Sequence, residues 1–139
     1  MLRVTVAATE EPVTVDDVKV ILRLGDTGFD TVLPAMIVAA REIVERQTGL
    51  ALASATYEWT PNAGRTEPLP LLPAVITSGE GIYPMTLQTT ATITPEALKA
   101  AMYLLVGDMI ANTEAFTERA LVENPAFDRL IAPYRRALP

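Results

Sequence analysis

The sequence predicts an α+β fold that is predominantly helical: a small bundle of about four helices with a short antiparallel β-hairpin or small sheet inserted between the second and third long helices. Three observations predict it. Apolar residues recur at helical spacing from Val18 to Gln47 and again after Pro95. β-Branched and aromatic residues, punctuated by prolines, fill the stretch from Ala53 to Ile93. Helix-capping residues stand where one pattern gives way to the other. A chain of 139 residues, half of them hydrophobic, supports one core and falls short of two ordinary domains, so a single domain over 1–139 is expected.

Leu2, Val4 and Val6 alternate with Arg3 and Thr5, the period of a half-buried strand or of an extended arm over 1–13. Thr14 followed by Asp17 forms a capping box with Asp in place of Glu. Val18, Ile21 and Leu22 then carry a short helix from Val15 to Leu24, closed by Gly25. Asp26-Thr27-Gly28-Phe29-Asp30 is turn chemistry. Beyond it Leu33, Ile37, Ala40, Val44 and Gln47 form one stripe, widened by Met36 and Ile43, of a long helix ending at Gly49. Pro34 falls in its first turn, where a missing N–H is tolerated. Arg41, Glu42, Glu45 and Arg46 are assigned to the solvated opposite face, with Glu42 and Arg46 in the favourable i,i+4 order worth about 0.2–0.5 kcal/mol.

Tyr57, Trp59, Val75, Ile76, Thr77, Met85 and Leu87 favour strands, and prolines 61, 68, 70, 73 and 84 confine them to short antiparallel pieces with exposed loops. Ser78-Gly79-Glu80-Gly81 is the predicted hairpin turn. Thr94 as N-cap, Pro95 at the first position and Glu96 in the first turn start the third helix, which runs to about Asn112. Its stripe is Leu98, Met102, Leu105 and Met109, but its other faces are nearly as apolar. A helix apolar all round is buried all round, and a small domain rarely covers every face. The stripe is therefore assigned to a core or subunit interface.

Asn124 and Pro125 open a final short helix that Pro133 kinks or ends. Phe127, Leu130, Ile131 and Tyr134 give it an apolar stripe, and Arg129, Arg135 and Arg136 make it basic on an acidic chain. Aromatic and arginine anchors are the chemistry of interface hot spots, so 124–139 is assigned as a docking helix and tail.

Composition excludes several functions. Eleven basic against seventeen acidic residues give a formal charge of −6, which opposes tight binding to nucleic acid. The chain has no cysteine and no histidine, which removes thiolate metal sites, disulfides and the commonest general base. The carboxylate pairs Asp16/Asp17, Glu42/Glu45 and Glu114/Glu118 read as a cap and solvated faces. Asp26 and Asp30 lack the ligand spacing of a calcium loop. Gly79 and Gly81 lack the context of a phosphate cradle. Ser54 and Ser78, the only serines, have no histidine partner, and no motif supports a dyad with Lys19 or Lys99. Tyr57 and Trp59 have no basic neighbours to support base stacking, so they are assigned to packing. No enzyme activity, metal or cofactor is expected. Thr5 and Glu10-Glu11 interrupt any signal-peptide h-region, and the longest apolar run, Ala100–Gly107, is far below the roughly 20 residues of a membrane span. A soluble protein made in the cytoplasm, without membrane contact, is the expectation.

The order of elements resembles a known family. A capped short helix from Thr14 to Leu24, an acidic turn, then Ala39-Ala40-Arg41-Glu42-Ile43-Val44-Glu45-Arg46-Gln47-Thr48-Gly49 with Leu50 and Tyr57 is similar to the opening of the head-tail connector (adaptor) proteins of long-tailed phages and gene transfer agents. Leu69-Pro70-Leu71 and Pro73-Ala74-Val75 are similar to that family's proline-flanked strand. Thr94-Pro95-Glu96-Ala97-Leu98-Lys99-Ala100-Ala101 is similar to its central helix, and Leu130-Ile131-Ala132-Pro133-Tyr134-Arg135-Arg136 to its closing segment. The proline-rich loop after Trp59 and the short segment from Gly79 to Thr92 depart from the commoner pattern.

The resemblance implies a structural component of the virion neck, assembled in the host bacterial cytoplasm. It implies a homo-oligomeric ring, twelvefold to match the portal protein, that links the DNA-filled head to stopper or tail-terminator proteins. It further implies that DNA passes through the channel without specific binding, which net negative charge favours, with acids lining the lumen. Phe127, Leu130, Ile131, Tyr134, Arg135 and Arg136 would dock on the portal. The alternative of a different class is a small cellular adaptor or regulatory domain that binds one protein partner without forming a ring.

Overall fold

The computed structural model describes residues 2–25, 27–60, 69–79, 84–91, 93–111 and 125–135. The chain divides into two compact units. One is Met1–Glu10 with Gly49–Ile93, and the other is Glu11–Thr48 with Thr94–Pro139.

The first unit is a four-stranded sheet. Strands β1 (Leu2–Val6), β2 (Thr56–Trp59), β3 (Ala74–Ser78) and β4 (Met85–Thr89) lie in the order β1-β2-β4-β3, every neighbouring pair antiparallel. This overturns the expected architecture of a helix bundle with a hairpin or small sheet inserted between the second and third long helices. One edge of the sheet, β1, precedes every helix, so the sheet joins the start of the sequence to its middle and is not a simple insertion. The physical reason is that strand pairing is non-local: the alternation of Leu2, Val4 and Val6 marks a strand but not its partner. The turn residue Gly79 has φ 78°, open to glycine at no steric cost, and β3 and β4 pair as expected across it. Glu80 and Gly81 lie outside the described residues.

Register makes the sheet two-faced. Val4, Tyr57, Leu87 and Ile76 form one row across all four strands, with Leu2, Trp59 and Met85 in the next row on the same face. Trp59, Met85 and Leu87 are buried together, with Leu69 and Ile76 packed against them. Tyr57 is buried with Ala51, Ala55 and Leu71, and Ala8 closes that cluster. Trp59 and Tyr57 are therefore packing residues, as assigned. The opposite face is mostly polar, with Val75 exposed on it: Arg3 is ion-paired to Glu58 and Ser78 donates to Thr86 Oγ1 at 3.1 Å.

The second unit holds α1 (Val15–Ile21), α2 (Leu33–Thr48), α3 (Glu96–Ala111) and α4 (Pro125–Ile131), followed by a 3-10 turn at Ala132–Tyr134. Thr14 and Asp17 form the full capping box on α1: the Asp17 N–H donates to Thr14 Oγ1 at 3.1 Å and the Thr14 N–H to Asp17 Oδ2 at 3.2 Å. The helix stops earlier than expected. Arg23, not Gly25, takes the left-handed conformation at φ 56°. The Leu24 N–H then reaches Lys19 O at 2.9 Å and the Arg23 N–H reaches Val20 O at 3.3 Å, the double closure of a Schellman motif. Two backbone bonds offset the steric cost of a non-glycine residue there.

Helix α2 ends at Gly49, φ 72°, with Pro34 in its first turn. Helix α3 begins after Pro95 as predicted, and α4 begins at Pro125 and gives way to the 3-10 turn that contains Pro133. The predicted N-cap Asn124 lies outside the described residues. Helix α3 packs against α1, α2 and α4. Val18, Leu33, Val44, Leu98, Met102, Leu105, Phe127 and Ile131 are fully buried, each larger side chain contributing about 1.5–3 kcal/mol by leaving water.

Candidate interaction surfaces

Helix α3 presents its predicted stripe inward. Leu98, Met102, Leu105 and Met109 are all buried, joined by Ala101 and Val106. They form the centre of the helical unit. What α3 leaves on its other side is mixed: Glu96, Leu104 and Ala111 are exposed, and Lys99, Ala100, Gly107 and Asp108 are half-buried. Gly107 has a local reason, since a Cβ there would come within 3.3 Å of Leu22 Cδ2. That close approach lays α1 along α3.

Among the described residues of this unit, most of the exposed large apolar side chains lie on α1 and α3, with Val32 ahead of α2 the other. Ile21, assigned to the buried stripe of α1, is 55% exposed, and Val20 beside it is 76% exposed. Only Val18 of α1 is buried. The sequence stripe failed because a helix of seven residues presents barely two turns, and one side chain fills its contact. Tyr103 stands on this side of α3. Its phenol pKa is raised above the ordinary value, first by burial and then by the nearby negative charges of Asp17 and Glu96.

The C-terminal segment is divided between core and surface. Phe127 and Ile131 are 0% exposed and hold α4 onto α3. Leu130 and Tyr134 are half-buried, and Arg135 is exposed and ion-paired to Asp128 at 2.5 Å. Arg136 lies outside the described residues. A partner reaching this segment without unfolding it meets Leu130, Tyr134 and Arg135, not Phe127 or Ile131.

Sequence reasoning missed a buried ion cluster. Arg41 and Glu45, assigned to the solvated face of α2, are both buried. Arg41 Nε donates to Glu11 Oε2 at 2.5 Å and its Nη1 to Glu45 Oε1 at 2.7 Å. Glu42 and Arg46 do face solvent. The signal present in the sequence was the Arg41/Glu45 i,i+4 spacing; Glu11, thirty residues away, gave none. This cluster ties the entry of the helical unit to the middle of α2.

The other candidate chemical groups are structural. Asp17 is a cap, Asp30 is paired to Lys19 at 2.9 Å, and Ser54 Oγ accepts from the Ala91 N–H at 2.9 Å. Asp26, Glu114 and Glu118 lie outside the described residues. Among the described residues no three acidic side chains gather as a metal site, and no helix is long and apolar enough to cross a membrane. No family model, curated protein or solved structure matches this chain.

Proposed function

We propose that this protein is a ring-forming connector of a phage-like particle, which binds the portal and joins the DNA-filled head to the stopper and tail. The observation that carries the reading is the uncovered apolar surface of the α1–α3 side, with Val20, Ile21 and Leu104 exposed on helices whose packing residues, Val18 of α1 and Leu98, Met102, Leu105 and Met109 of α3, are already buried. Exposed apolar side chains grouped on one side favour a protein partner. Two further features support the reading: the order of elements, whose resemblance to head-tail connectors spans Thr14 to Arg136, and the charge of −6, which disfavours adhesion of passing DNA. Identical subunits that meet through two different faces close into rings when the rotation permits.

On this reading Leu130, Tyr134 and Arg135 are the portal-facing groups, with Arg136 following them in sequence. Phe127 and Ile131 position them from the core. Cutting the chain after Asp128 removes the core residue Ile131 together with the docking groups, so the cleaner variant is Tyr134→Ala with Arg135→Ala. Negative-stain imaging and mass photometry of the protein alone and mixed with a portal test the proposal. Rings, or assembly on the portal that the double variant loses, are expected. A species that stays monomeric or dimeric and ignores the portal overturns it in favour of a cellular adaptor.

A further inference from the structure

The sheet ends in two strands that natural proteins would ordinarily protect. β1 is an edge strand exposed along its whole length, and its apolar residues Leu2 and Val4 are 37% and 42% exposed. β3, the other edge, exposes Val75 to 58%. Neither strand contains proline or lysine, the usual deterrents to edge pairing, and β3 has no charge at all. Each has one bulge, between Val4 and Val6 and between Ile76 and Ser78. The bulges leave the three-residue segments Leu2–Val4 and Ala74–Ile76 regular.

Strand direction makes the two edges complementary. Four strands, each antiparallel to the next in the order β1-β2-β4-β3, leave β1 and β3 running in opposite senses. A second copy brought alongside in the same orientation therefore meets β3 with its β1 as an antiparallel pair. Side-chain chemistry agrees. The apolar row Val4, Tyr57, Leu87, Ile76 ends in an apolar residue at each edge, so extending it places Ile76 of one copy beside Val4 of the next. Charge disfavours one symmetric rival: two β1 strands paired about Arg3, the centre of the regular segment Leu2–Val4, would set Arg3 directly against Arg3, an unfavourable like-charge pair, whereas against β3 Arg3 meets only uncharged residues.

We propose that copies of this chain join edge to edge, β1 of one pairing with β3 of the next to continue the sheet from subunit to subunit. The contact is heterologous and repeats, which is the geometry a ring requires. The inference deepens the ring reading and rests on it only in requiring that copies associate. Five-residue edges bury less than the roughly 1,000 Å² that marks a stable interface, so the strand pair sets register and direction while other surfaces add area.

The absence of cysteine makes a direct test clean. Val4→Cys with Ile76→Cys in one chain is expected, on mild oxidation of the assembled protein, to give a ladder of covalent multimers that collapses with reductant. Either single substitution is expected to give no ladder. Arg3→Cys with Thr77→Cys uses two exposed positions that face each other in the same register, so the contact stays measurable if replacing half-buried Ile76 disturbs the sheet. Circular dichroism of each reduced variant establishes that it is folded. Covalent dimers from a single substitution overturn the proposal in favour of symmetric pairing. Assembly on the portal with no cross-link from either pair overturns it while the connector reading stands. A protein monomeric at all concentrations, with and without portal, overturns both.

Discussion

The helical unit and the sheet unit of this protein are held by different means. In the helical unit an apolar core runs through α2, α3 and α4, and the charged groups that enter it are held together, Arg41 between Glu11 and Glu45, with Glu11 Oε1 buried and without a hydrogen-bond partner. In the sheet unit the apolar face is narrower and one hydroxyl joins its pieces. Buried Thr89 accepts the Ala55 N–H at 3.0 Å and lies 2.8 Å from Ala53 O, to which it donates, linking β4 to the segment before β2. The helical unit thus concentrates its vulnerability in core volume and a buried charge. The sheet unit concentrates it in one hydrogen-bonded threonine and in its edges.

That contrast can be broken most severely at Arg41. Arg41→Ala leaves two carboxylates without their cation and is expected to cost about 3–5 kcal/mol, read as a lowered urea midpoint. Replacing Arg41, Glu11 and Glu45 together by Met, Leu and Leu is expected to recover most of that loss, since a buried ion cluster and a well-packed apolar one are often close in stability. Failure of the triple variant to recover would show that the charges do more than compensate one another.

Phe127→Ala tests whether α4 is core in the same sense. A cost of about 3–5 kcal/mol is expected, and an effect below 1 kcal/mol by the linkage of midpoint and slope would make α4 a dispensable appendage. In the sheet unit Thr89→Val keeps the volume and strands the Ala55 N–H, so about 1–3 kcal/mol is expected, with hydrogen-exchange protection lost at Ala55 first. Thr14→Ala removes the capping box of α1 for about 0.5–2 kcal/mol, visible as fraying of Val15–Ile21.

The smallest effect is on pH. Because the folded state holds the Tyr103 proton more tightly than the unfolded chain does, its contribution is complete below the ordinary tyrosine pKa of about 10 and falls as pH rises through the folded value. Tyr103→Phe is therefore expected to flatten slightly the loss of stability as pH rises past about 10; an unchanged slope in a pH series of urea melts would remove that coupling.

The helices were legible because their signals are local. Thr14 and Asp17, Pro34, Thr94 with Pro95, and Gly49 lie within a turn of the boundary each one marks. The stripe Leu98, Met102, Leu105 and Met109 identified the inward face of α3 for the same reason. Local chemistry also misled where two local solutions competed: the Schellman closure at Arg23 ended α1 at Ile21, four residues before the glycine that looked like its stop. The docking residues were legible as a segment but not as a surface, since helical spacing groups Phe127, Leu130, Ile131 and Tyr134 without telling which of them α3 covers.

By itself the sequence determined where helices begin, which faces of α2 and α3 are apolar, that β-structure lies between them, and that histidine and cysteine chemistry is absent. Tertiary structure alone decided that residues 2–6 join the sheet as an edge, that Arg41 and Glu45 turn inward to meet Glu11, and that Val20 and Ile21 stay in solvent. The division has one physical cause. Helix capping and periodicity act over three or four residues, whereas strand partnership and the burial of a charge depend on groups brought together from 30 or more positions away.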